Sequence, residues 1–225
     1  MTRLLLFDID NTLLYTGGAG SHAMAIAFQE MFGINNGFAN VEFSGRTDLH
    51  ILSEGLRLHG IAGGHETYLD DFLRRYYGHL RQTLGDRDGH LMPGFPHLLE
   101  ALSQRGGVRI GLATGNFSEA AWMKVEHYKI RQYFWDGAFG EDGLHRSQMV
   151  RAGIERLAPD VAPEEVIIIG DTPHDISSAL DNGVAAAGVA TGSYTAHQLR
   201  ESGAQMVFRD FSDWQTAATT LSGEA

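Results

Sequence analysis

The chain changes its hydrophobic rhythm twice. Residues 4–9, LLLFDI, are almost continuously apolar, the pattern of a strand covered on both faces. From there to about residue 92, apolar positions recur at helical spacing. Ala23, Ile26, Ala27 and Met31 form one stripe in an expected helix over 19–32. Leu49, Leu52, Leu56 and Leu58 mark a second helix over 47–59, and 66–84 reads as a third, long and amphipathic. After Pro93-Gly94 comes a helix over 95–104, stopped by Gly106-Gly107. Strands and helices then alternate: strands at 108–114, 136–139, 166–170, 184–190 and 204–208, helices at 118–128, 147–157, around 176–180 and near 196–201.

Such alternation predicts an α/β fold, a Rossmann-like parallel sheet with helices on both faces. Residues 15–92 interrupt it as a small all-helical domain. The expected organisation is an α/β core from 1–14 and 93–225, and a helical cap over 15–92. The sequence has neither an internal repeat nor a low-complexity tract. Its 28 glycines are scattered through turns rather than gathered into a linker.

Composition narrows the possible functions. An apolar fraction of 43% in 225 residues suits a globular core. The absence of cysteine excludes disulfides, zinc–thiolate sites and thiol nucleophiles. A formal charge of −11 argues against a nucleic-acid partner. No apolar run approaches the roughly 20 residues that span a bilayer. The four apolar residues before Asp8 are too few for a signal peptide, so the expected setting is cytoplasmic, with no membrane partner. Oligomeric state is not legible in the sequence.

Ligands of open parallel sheets lie beyond the carboxyl ends of the strands. At those ends stand Asp8 and Asp10, then Thr114 within "ATGN", then Asp171 and Asp175 within "GDTPHD". Asp8 and Asp10 are two apart on a strand and share a side, so their charges repel. Four converging carboxylates suit Mg²⁺, a hard cation that prefers oxygen ligands, which makes Asp8, Asp10, Asp171 and Asp175 the candidate metal set. Thr114, Gly115 and Asn116 supply a hydroxyl and turn amides as candidate substrate contacts. An anionic substrate also needs a cation: at ~4 Å one charge offsets another by about 4 kcal/mol at an effective dielectric near 20. The chain has only two lysines, Lys124 and Lys129. Arg146, just ahead of a helix, is the expected basic residue, and Lys124, inside the helix after Thr114, is expected on a solvated face.

The motifs "FDIDNTLL", "ATGN", a late basic residue and "IIIGDTPHDISSA" resemble, in order and spacing, the haloacid dehalogenase superfamily over the whole chain, in particular its phosphoglycolate phosphatase-like members with a helical cap after the first strand. The resemblance implies Asp8 as nucleophile, Asp10 as general acid and base, Thr114 holding the transferring phosphoryl group and Arg146 neutralising it. It also implies Mg²⁺ on Asp171, with Asp175 helping or orienting. Arg146-Ser147 stands where the family usually has Lys, often followed by Pro, and Asn11 stands where Gly is commoner. The acid at Asp10 separates the chain from the dehalogenase and phosphonatase branches. The implied activity is Mg-dependent hydrolysis of a small phosphorylated metabolite through an aspartyl-phosphate. A phosphomutase using the same acid pair, or a non-catalytic aspartyl-phosphate regulatory module, are the alternatives. Within the cap, "FSGRTDLH" resembles a stretch of phosphoglycolate-phosphatase-like members and makes Arg46 a candidate for the substrate's second anion.

Other motifs fail on context. "GGAGSHA" matches a dinucleotide glycine pattern, but its glycines do not follow the strand at once. "DIDNT" could begin a calcium loop, yet Leu13 and Ala19 occupy the positions that need Gly and Glu. The eleven histidines include no HExxH pair.

Overall fold

A computed structural model describes residues 2–224; positions 1 and 225, the outermost of the expected core domain, lie outside the described residues. Six strands form one all-parallel sheet in the order β5-β4-β1-β6-β7-β8: β1 Arg3–Phe7, β4 Val108–Ala113, β5 Gly137–Ala138, β6 Val166–Gly170, β7 Ala185–Val189 and β8 Met206–Phe208. β1 lies between β4 and β6, with Phe7 in register with both Leu112 and Ile169.

The unbroken apolar run of β1 follows from burial on both sides. Leu5 and Phe7 belong to one apolar cluster, Leu4 and Leu6 to another on the opposite face. β6 divides likewise, with Ile167 and Ile169 on the first side and Val166 and Ile168 on the second. The first face is covered by α4 His97–Ser103, α5 Ser118–His127 and α9 Trp214–Ser222, the second by α6 Arg146–Leu157, α7 Pro173–Asp181 and α8 Ala196–Glu201.

Helix α9 is absent from the expectations above. Its signal is Trp214, Ala217, Ala218 and Leu221 in a helical stripe, opened by the Asp213 cap and closed by Gly223 in the left-handed region. Being short and poor in large apolar residues, it gains its stability by packing on α4.

The insertion contains α1 Ala19–Phe32, α2 Asp48–Leu58 and α3 His65–Asp86, packed around Phe28, Leu52, Phe72 and Leu80. A two-stranded antiparallel ribbon closes its base, β2 Leu14–Tyr15 against β3 His90–Leu91. Gly17 and Gly18 take positive φ (64° and 76°) where the chain turns into α1. Phe117 and Ala120 at the start of α5 belong to the insertion's apolar cluster, so the insertion is docked on the sheet domain by hydrophobic contact. Among the described residues no helix is long and apolar enough to cross a membrane.

Candidate active site

The register of β1 brings the chemistry together. Asp8 follows Phe7, Thr114 lies two residues beyond Leu112, and Asp171 two beyond Ile169, so three neighbouring strands end side by side. Asp8 N–H still donates to Ile169 O (2.8 Å) and Thr114 N–H to Ala138 O (3.0 Å), which fixes both backbones. Asn11 takes φ 60°, a geometry that Asn tolerates, as the chain turns away. Above the strand ends lies a cavity of about 310 Å³. Asp8, Asp10, Thr114, Arg146 and Asp171 line it from the sheet domain, and Met24, Phe43, Arg46, Asp48 and Tyr76 from the insertion.

One flank is an acid cluster around Arg146. Carboxylate oxygens of Asp8, Asp171 and Asp175 lie within 4.8 Å of one another, all in buried residues. Arg146 Nη2 is 3.1 Å from Asp8 Oδ1 and 2.5 Å from Asp175 Oδ1, and donates to Ala113 O at 3.0 Å. Burial pushes Asp8 up to about 6; Arg146 opposes this, while Asp175 and Asp10 add to it. Burial likewise pushes Asp171 up to about 8, reinforced by Asp175 and Asp8. Burial works against the Arg146 charge, but Asp175 and Asp8 outweigh it and raise its pKa. Thr12, a residue the sequence reading gave no role, donates to Asp171 Oδ1 (3.2 Å). Asp175 is also a helix-cap residue: its Oδ2 accepts from Thr172 N (3.0 Å) and Oγ1 (2.7 Å), while its Oδ1 is the oxygen that faces Arg146. Three buried carboxylates set against a single guanidinium leave an excess of negative charge that fits a hard divalent cation.

The other flank corrects an expectation. Lys124 is no solvated-face residue: its side chain is only 3% exposed, with Nζ 2.6 Å from Asp10 Oδ2 and 2.5 Å from Asn116 Oδ1. Asn116 Nδ2 donates to Asp10 Oδ2 (2.8 Å) and to Thr114 Oγ1 (2.7 Å). The Asp10 carboxylate is thus taken up by Lys124 and Asn116, and it stands outside the acid cluster in which it was expected. Helix α5 explains the reach of Lys124. Ala120, Ala121, Lys124 and Val125 form its buried stripe, so a lysine occupies an apolar position. Its apolar stem is buried there while the ammonium finds a carboxylate. Gly20 of α1 passes close by, where an added Cβ would stand 3.3 Å from Nζ. A lysine inside an apolar stripe, in a chain with two lysines, was the available signal.

The insertion meets the site through α2 and the segment before it. Thr47 caps α2 by accepting from His50 N (3.1 Å) and donates to Leu144 O (3.0 Å). Asp48 N–H donates to Gly115 O (2.7 Å), and Asp48 Oδ2 accepts from Phe117 N (3.0 Å). A side chain at Gly115 would collide with Arg46 O, so this junction requires glycine. Burial raises Asp48 to about 7, with Lys124 the main opposing charge. Arg46 lines the cavity, is about one-third exposed, and pairs with Glu42 at 3.0 Å.

The fold and this acid-lined crevice define a known class. The haloacid dehalogenase-like hydrolase family model matches residues 2–183; the chain belongs to that family and is a hydrolase. "Probable phosphatase IndB" of Dickeya dadantii is 27% identical over 98% of this chain and 95% of its own length. A phosphoglycolate phosphatase of Agrobacterium fabrum is 27% identical, with 94% of this chain and 90% of that protein covered. The fold is shared with CbbY of Rhodobacter sphaeroides, solved in complex with phosphate, at a TM-score of 0.72 and 20% identity over 95% of this chain and 96% of that one.

Proposed function

We propose that this hydrolase is a Mg²⁺-dependent phosphatase acting on a small phosphorylated metabolite, phosphoglycolate-like in size. The observation that carries the reading is the separation of two carboxylates at one strand end. Asp8 is 6% exposed beside Arg146, whereas the Asp10 side chain is 40% exposed to the cavity and anchored by Lys124. Two carboxyl groups in such different surroundings suit two roles.

In the proposed reaction a carboxylate oxygen of Asp8 attacks phosphorus in line while the bond to the leaving oxygen breaks. Asp10 gives that oxygen its proton, leaving an aspartyl-phosphate. Asp10 then takes a proton from water as the water oxygen attacks phosphorus, which frees phosphate and restores Asp8. Thr114, with the Gly115 and Asn116 turn, positions the phosphoryl group, and Arg146 offsets its charge. Lys124 is a positioning residue that holds Asp10 towards the leaving group. Mg²⁺ held by Asp8, Asp171 and Asp175 would supply positive charge against the phosphoryl oxygens.

Residues 15–92 act as a cap in this reading, with the turn at Gly17-Gly18 as one hinge. A cavity of about 310 Å³ beneath it favours small soluble esters over phosphoproteins. Arg46 is proposed to hold the substrate's non-reacting anion by exchanging its pairing with Glu42.

A panel of phosphorylated metabolites, assayed for released phosphate with and without Mg²⁺, tests the proposal. Release from one small ester, lost in chelator, is the expected result. Product that keeps its phosphate on another hydroxyl would make the enzyme a mutase. A stable phosphoprotein without turnover would make it a regulatory module.

A further inference from the structure

A second cavity of about 250 Å³ lies behind the first, between α2, the start of α6 and α7. Arg46, His50, His145, Arg146 and His174 line it, against a single carboxylate, Asp181, among the described residues. The surplus of cationic and cationisable groups is unusual in a chain whose net charge is −11.

These side chains do not form a metal centre. Asp8, Asp171 and Asp175 are the metal-capable cluster among the described residues, and the His50 and His145 rings stand 6.1 Å apart, tilted by 47°. Arg146 is neutralised from the first cavity by Asp8 and Asp175, but Arg46 has no such buried partner. Arg46 has one pairing, with Glu42, and the two side chains are 34% and 55% exposed, so that pair is worth little and is readily exchanged. The Nε atoms of both Arg46 and Arg146 are buried without a hydrogen-bond partner among the described residues. Burial lowers the His50 pKa, and Arg46 and His145 lower it further; Glu54 and Glu42 pull weakly the other way. An anion placed here would relieve that repulsion.

We propose that this cavity is a second anion-binding site, selective for a phosphate-sized oxyanion, held by Arg46, His50, His145 and His174 with hydroxyls such as Ser177 at its wall. An oxyanion offers acceptors to every one of these donors, and charge-assisted hydrogen bonds are the strong ones. Arg46 and Arg146 line both cavities, so the site adjoins the reaction chamber. That position, on the phosphatase reading above, suits a waiting station for released phosphate.

Inorganic phosphate is the probe. Calorimetric titration of the Mg²⁺-supplemented protein should give two phosphates per chain. His50→Ala/His145→Ala should bind one, with affinity at the other site reduced at least tenfold and turnover of a small ester within about twofold of the parent. In ¹⁵N-histidine-labelled protein, the His50 and His145 imidazole resonances should shift and saturate with the second equivalent. Should the alanine pair misfold by circular dichroism, His50→Gln/His145→Gln replaces it, since Gln keeps volume but carries no charge. A single phosphate in the parent, or two in the folded double variant, would overturn the proposal.

Discussion

The two flanks of the reaction chamber solve the burial of charge differently. On the Arg146 flank three carboxylates crowd around one guanidinium, and the balance is incomplete: burial pushes Asp8 to about 6 and Asp171 to about 8. On the Lys124 flank the cation is buried, its carboxylate partner is open to the cavity, and Asn116 completes the set. The first flank lacks positive charge and invites a cation. The second is already neutralised and acts by holding one carboxylate still. The same two residue types, an acid near a strand end and a base from a helix, therefore do different work according to how many acids share each base.

The largest expected effect comes from breaking the Arg146 flank at its centre. Asp8→Asn should lower turnover by more than about 10⁴-fold, because an amide is a poor nucleophile. The folded metal-free protein should be at least as stable, since a buried carboxyl under strain from its neighbours has gone. Steady-state kinetics and urea unfolding check both halves.

Next in size is Arg146→Ala. Removing the guanidinium leaves buried carboxylates uncompensated, a loss of about 3–5 kcal/mol in stability. Arg146→Lys should regain part of the stability and part of the turnover, as measured by unfolding midpoints and kcat.

Asp48 tests the other flank through pH. Its carboxyl rises from 3.8 to about 7 on folding, so the folded state binds a proton that the unfolded chain has released. Stability from this group is complete below about pH 4 and is lost as pH climbs to about 7, on the order of 4 kcal/mol in all. Asp48→Asn keeps an acceptor for Phe117 N–H and removes the titration. Its stability curve should be flatter than the parent's between pH 4 and 7.

Lys124→Ala should reduce kcat by up to about 10²-fold, within what general acid–base catalysis contributes, while KM changes little. Lys124→Arg should restore part of it. If the flanks are independent, Lys124→Ala and Arg146→Ala add in log kcat, whereas Lys124→Ala is nearly silent in an Asp10→Asn background. Additivity in both backgrounds would refute the pairing of Lys124 with Asp10.

The smallest effect is expected at the rim. Arg46→Ala should raise KM about tenfold and leave kcat unchanged, because the contact is present before and during reaction.

Much of this was legible in the chain. The unbroken apolar run at Leu4, Leu5, Leu6 and Phe7 announces a strand buried on both faces, and β1 is an interior strand of the sheet, between β4 and β6. Alternation of strands with helices dictates parallel pairing, which brings Asp8, Thr114 and Asp171 to one edge whatever the details. The helical insertion was visible from its 3.6-residue spacing. What local pattern could not supply is the direction of long side chains. Lys124 lies on the buried stripe of α5, and its choice between solvent and the Asp10 carboxylate depends on where α1 passes over it at Gly20. Asp10 reads as one of four equal metal acids in the sequence, yet Lys124 and Asn116, which lie 114 and 106 residues away, claim its carboxylate. The basic cavity shared by His50, His145 and His174 likewise has no signature in any one segment, since three separate helices wall it. Periodicity and strand-end position are local properties that the sequence determined by itself; the partners of each buried charge are set by long-range packing, and only the tertiary structure decided them.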